Sequence, residues 1–127
     1  MLSQARLQTI IATCRLKEAQ SFYQDVLQLQ LRTTSEGALV FDVGGSDLRV
    51  SPVPSTTPSA HTIVGFAVAD VVAAISDLKS RGVVFERLNG FPHDDIGTIR
   101  TPGGARVAWF RDPDDNLLSI VQFGPDG

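Results

Sequence analysis

The same run of elements occurs twice along this chain, and that repeat constrains the fold more than any other feature. From Leu7 to Thr13 the sequence is apolar and β-branched, which reads as a buried strand. Leu16, Ala19, Phe22, Tyr23, Val26 and Leu27 then recur at helical spacing, while Lys17, Glu18, Gln20, Gln24 and Asp25 take the other face. Strand-like runs follow at 31–34, 38–43 and 48–53, set apart by Gly37 and by Gly44-Gly45-Ser46. Residues 52–59 hold three prolines among small polar residues and read as a linker. After it the order restarts with a strand at 62–68. Asp70 can cap a helix with apolar Val71, Ala74, Ile75 and Leu78, and Gly82 can end it. Strand-like runs at 83–87, 98–101, 106–111 and 117–123 complete the second pass.

This is the pattern of a duplicated βαβββ unit, with modules at about 5–53 and 62–123 and a linker at about 54–61. Gln8 precedes Leu16 by eight residues, and Ile63 precedes Val71 by eight. The hairpin from Phe41 to Arg49 also aligns with the segment from Phe110 to Ser119, whose turn is one residue longer. On this register Gln8 corresponds to Ile63, and Arg49 to Ser119.

A chain of 127 residues is the size of one domain and can hold a core without disulfides. A net charge of −3 gives no basic face for nucleic acid. No apolar run reaches the length of a membrane span and the N-terminus has no signal-peptide pattern, so a cytoplasmic location is expected. Cys14, the single cysteine, ends an apolar run and is expected to be a small buried hydrophobe.

Two stretches carry a resemblance: Phe22-Tyr23-Gln24-Asp25-Val26-Leu27 after the first strand, and Phe110-Arg111-Asp112-Pro113-Asp114-Asp115-Asn116-Leu117-Leu118 before the last. In these the chain resembles the vicinal oxygen chelate superfamily, which includes glyoxalase, bleomycin-resistance proteins, fosfomycin-resistance enzymes and extradiol dioxygenases. The resemblance implies an α+β fold of two βαβββ modules, their strands forming a curled mixed sheet cup around a ligand. It also implies a homodimer, which would cover edge strands. Enzymes of that superfamily hold a divalent metal through four strand positions. By alignment these fall on Gln8, Arg49, Ile63 and Ser119. Only Gln8 is a credible donor: Arg49 is a fixed cation, Ile63 has no donor atom, and a neutral Ser119 hydroxyl is weak. The expectation is therefore no metal and no other cofactor. Asp115 stands where the motif usually has Gly, and Asp tolerates the left-handed geometry such a turn requires.

Side-chain alternation extends the lining of the expected cup. The ligand-binding candidates are Gln8, Arg49, Ser51, Ile63, Gly65, Arg100, Trp109, Ser119 and Val121. Trp109 occupies a position where dioxygenase-like relatives carry a functional tyrosine. It could be a stacking wall or a core residue. Arg49 suggests an acidic group on the ligand, unless Asp47 or Asp42 neutralises it. The loop 89–97 reads equally as a lid or a surface connection. The expected function is metal-free binding of a small, partly apolar and acidic organic molecule, with no nucleic-acid or membrane partner. The alternative is a lyase, isomerase or dioxygenase whose divalent metal sits in a rearranged site built from Gln8, His61 and His93 or Asp94. Whether any reaction is catalysed stays open at the level of sequence.

Overall fold

The structure is a computed structural model that describes residues 1–125. The chain divides into two compact units after Thr57, inside the proline-rich segment.

In the first unit, a short 3-10 turn at Leu2–Gln4 leads into β1 (Gln8–Thr13), α1 (Leu16–Gln20), β2 (Gln30–Ser35), β3 (Ala38–Val43) and β4 (Ser46–Pro52). The sheet order is β1-β4-β3-β2, with β1 parallel to β4 and the other pairs antiparallel. A parallel pair needs a crossover, and the helix between β1 and β2 lies on the face it crosses. The single helix expected from the spacing has two parts: α1, then a π-helical stretch Ser21–Val26 closed by the bond from Leu27 N–H to Phe22 O, 2.9 Å. This widened turn keeps Ala19 and Tyr23 fully buried, with the Tyr23 ring 6.0 Å from that of Phe41 on β3. Ile11, Phe41, Leu48 and Val50 complete this layer. Two-residue turns join the antiparallel strands. Glu36 and Gly37 have φ of 52° and 78°, and Gly44 and Gly45 have 57° and 87°. Positive φ at both turn positions matches the right-handed twist of the flanking strands.

The second unit repeats the plan with β5 (Val64–Ala67), α2 (Val71–Ser80), β6 (Phe85–Glu86), β7 (Ile99–Arg100), β8 (Arg106–Arg111) and β9 (Leu117–Gln122). Its order is β5-β9-β8-β6, with β7 also on β8. Asp70 caps α2 by accepting from Ala73 N–H at 3.0 Å, and the Gln122 side chain accepts from Val71 N–H at 2.9 Å. Val71, Ile75 and Leu78 are buried on α2, and Ala108, Phe110, Leu118 and Ile120 are buried on β8 and β9.

The two sheets repeat each other in register. Ile10 pairs with Arg49 and Val40 with Arg49; Gly65 pairs with Ser119 and Trp109 with Ser119. This is the alignment that matches Arg49 with Ser119. At the turn before β9, Asp115 has φ of 63°, the left-handed geometry expected of it.

Three expectations need correction. Cys14 is exposed, because β1 ends at Thr13 and the chain bends there, with Arg15 N–H donating to Thr13 Oγ1 at 3.0 Å. The runs at 83–87 and 98–101 shrink to two-residue strands. Gly90, Pro92 and Gly97 break the backbone between them, and Pro102-Gly103-Gly104 turns it immediately after. The strand expected at 62–68 begins only at Val64, which leaves Ile63 just before it.

Candidate helix-free sheet faces

Each sheet has one face against its helix and one free of it. Burial along β1 alternates, with Ile11 and Thr13 buried and Gln8 and Ile10 exposed, so Gln8, Ile10 and Ala12 share the helix-free face. Through the strand pairing, Asp47, Arg49 and Ser51 of β4 and Val40 and Asp42 of β3 lie on the same face. Ile10 is 59% exposed there, an apolar surface beside polar groups.

The charges on this face are unequally paired. The carboxylate of Asp47 receives two guanidinium groups, Arg6 from ahead of β1 and Arg32 from the irregularity in β2. Arg49, half-buried, donates once, from Nη2 to the backbone carbonyl of Ser35 at 2.7 Å. Among the described residues it has no carboxylate partner. Asp42 instead accepts from Gly45 N–H at 3.0 Å within its own turn. A guanidinium has five N–H donors, so four remain on Arg49.

In the second unit the helix-free face carries Gly65, Ala67, Trp109, Ser119 and Val121. Gly65 allows the close approach of Ser119: a Cβ built on it would lie 3.1 Å from Ser119 Oγ. Ser119 is buried, and its hydroxyl has no hydrogen-bond partner among the described residues. Trp109 is half-buried and its indole N–H donates to Thr62 Oγ1 at 2.8 Å. Ile63 holds β9 through its backbone N–H, which donates to Leu117 O at 3.0 Å. Arg100 pairs with Arg106, and alternation along β8 puts both on the side of Ala108 and Phe110. The register therefore puts it on the side opposite Trp109 and Ser119. The strand around it is too short to show an alternation in sequence.

Of the residues proposed for a rearranged metal site, His61, His93 and Asp94 are otherwise engaged. His61 is exposed and its Nδ1 lies 3.1 Å from Ser59 Oγ in the linker. His93 Nε2 accepts from Leu88 N–H and its Nδ1–H donates to Gly97 O, both at 2.8 Å. Asp94 accepts from Thr98 N–H at 2.8 Å and from the Thr98 hydroxyl, and pairs with Arg106 at 3.0 Å. Burial works against the Asp94 carboxylate, but the Thr98 hydrogen bonds and the Arg106 guanidinium hold it down at about 2. At the four positions inferred from the resemblance, the donors do not fit a divalent ion, since one is a cation and another a hydrocarbon. No group of three or more His, Cys, Asp or Glu side chains suited to a metal occurs among the described residues.

Two βαβββ modules, each with a helix-free sheet face, define an α+β fold class. The sequence agrees: residues 6–120 match the family model of the Glyoxalase/Bleomycin resistance protein/Dioxygenase superfamily, and the chain belongs to that superfamily. Solved structures with the same fold include a lactoylglutathione lyase from Agrobacterium tumefaciens, 20% identical, covering 94% of this chain and 93% of that one at a TM-score of 0.66. A glyoxalase/bleomycin resistance protein/dioxygenase from Alicyclobacillus acidocaldarius is 18% identical, with 97% and 94% covered, at 0.69. TnmS3, an antibiotic binding protein from Streptomyces sp. CB03234, is 22% identical, with 95% and 98% covered, at 0.70. Among curated proteins, none matches the chain in sequence. No helix among the described residues is long and apolar enough to cross a membrane.

Proposed function

We propose that this chain is a metal-free binding protein for a small, partly apolar organic molecule with an acidic group, acting by sequestration. The observation that carries the proposal is Arg49, a half-buried cation on the helix-free face of the first sheet with one backbone acceptor and, among the described residues, no carboxylate. A fork of unused N–H donors in that setting suits a ligand carboxylate or another planar acid. Ile10 beside it supplies apolar contact, and Gln8 and Ser51 supply polar points. In the second unit Trp109, Gly65, Val121, Ile63 and the Ser119 hydroxyl are candidates of the same kind. Arg100 is not among them. TnmS3, an antibiotic binding protein, has the same fold, which supports a binding role for this chain. A two-fold homodimer and a cytoplasmic location belong to the same proposal.

The test is a screen of small organic acids by calorimetry against the wild type and Arg49→Ala. The variant should bind the acids more weakly by about 1.5–3 kcal/mol, the range for a hydrogen bond to a charged group. Equal affinity would remove Arg49 from the site. Turnover of a bound acid would move the chain from binding protein to enzyme.

A further inference from the structure

We infer that the second unit carries another binding site, a cleft at the end of α2 that takes a small amphiphilic carboxylate. The cleft lies between the last turn of α2, the approach to β6 and the loop that leads to β7. Its volume is about 390 Å³, inside the range of roughly 300–1,000 Å³ usual for small-molecule sites. Every lining residue falls between Lys79 and Gly97, so the site is built within one unit and shares no residue with the ligand faces proposed above.

Two cations line the cleft without an acid to match them. Lys79 sits where α2 ends, and the carbonyls there are already taken by backbone. Arg81 N–H and Val83 N–H donate to Leu78 O at 3.0 and 3.1 Å, and Gly82 N–H donates to Lys79 O at 3.0 Å. The dipole of α2 favours a cation at this end without using its N–H donors. Arg87 donates from Nη2 to Asp95 O at 3.2 Å, which ties the guanidinium to the loop and leaves its other donors unused. Neither cation has a carboxylate partner among the described residues. Asp77 is held by Arg81, Glu86 by Arg111 and Asp94 by Arg106, and Asp95 is not part of the lining. The rest of the lining is largely apolar: Val84 is 76% exposed, and Phe85 and Ile96 are half-buried. Gly97 packs on Phe85, where an added Cβ would lie 3.6 Å from the Phe85 Cβ. An inorganic anion would leave Val84 and Ile96 facing water, and a neutral hydrocarbon would leave both cations unmatched. A carboxylate on a short apolar body satisfies both.

The test is a titration of the full chain with octanoate, followed by amide NMR shifts, with 1-octanol and acetate as controls. Octanoate should move the amides of Lys79, Gly82, Val84 and Gly97 along one saturable curve. The two controls each carry half of the recognised chemistry and should leave those amides near their starting positions at the same concentrations. Lys79→Gln and Arg87→Gln should each weaken octanoate about fivefold, the scale of a partly exposed ion pair. Both side chains are exposed, so neither variant threatens the fold. Arg49→Ala should leave this curve unchanged, whatever it does to acids on the first sheet. The inference is overturned by 1-octanol binding as tightly as octanoate, or by full affinity in both glutamine variants, since the cations would then recognise nothing. Octanoate that moves only the amides of Ile10 and Arg49 overturns it and leaves the proposed function standing. No shift at either set overturns it as well.

Discussion

Asp47 and Arg49 stand two residues apart on one face of β4, and their surroundings are opposite. Asp47 holds two arginines, while Arg49 holds a single carbonyl. The sequence shows an acid beside a base and leaves their pairing open, because the competitors Arg6 and Arg32 arrive from other parts of the unit. Arg6 lies ahead of β1, and Arg32 sits at a shift in the β2 register that no periodicity reveals. On the helix side of the sheets, alternation points to Ile11, Leu48, Val50, Val64, Phe66, Val68, Leu118 and Ile120; five of these are buried, while Val64, Phe66 and Val68 are half-buried. Asp94 gives a prediction at this scale. Its folded pKa of about 2 lies below the ordinary 3.8, so its contribution to stability is complete above about pH 4 and is lost as pH falls toward 2. Asp94→Asn should therefore destabilise the chain at neutral pH and flatten its acid limb. The carboxylate is partly exposed, so the loss should be modest. Melting temperatures of both proteins across that range measure it. A parallel drop at every pH would mean that the pairing does not set the acid limb.

The elements were read best where a local signal and the tertiary fold agree. Asp70 before Val71 is such a case, and the cap is formed to Ala73 N–H. Asp70→Ala should cost about 1 kcal/mol, seen in chemical denaturation, with Asp70→Ser recovering most of it. No recovery with Ser would mean that Asp70 acts other than as a cap. The glycine pair after β3 and Glu36-Gly37 after β2 were equally plain, since positive φ at a two-residue turn leaves few alternatives. The segment 83–105 was not plain. It holds two short strands on β8, separated by a loop fixed through His93 and Asp94, whose bonds to residues four along the chain leave no mark in the hydrophobic periodicity. The helix after β1 likewise gave no sign of its π-helical second half.

At the scale of the whole chain, the duplication made the fold readable before any site was. Two passes of βαβββ with repeated register leave few architectures, and the superfamily match over residues 6–120 agrees. Function was less legible, because a shared fold hosts different chemistry on different side chains. β1 and β5 each end their own sheet, and Leu7 and Ile10 are exposed near the first of these edges. Light scattering at tens of micromolar, roughly, should give twice the chain mass of 13.7 kDa, since unpaired edges favour association. A monomer mass at that concentration would set the dimer aside. The most direct measurement of the central proposal is native mass spectrometry of the chain as purified, after incubation with excess zinc, nickel, manganese or iron and with an organic acid found in the screen. The account predicts one organic molecule per chain in the wild type, depleted in Arg49→Ala, with no metal retained in either. One divalent ion per chain that survives desalting, with the acid bound only in its presence, would contradict it.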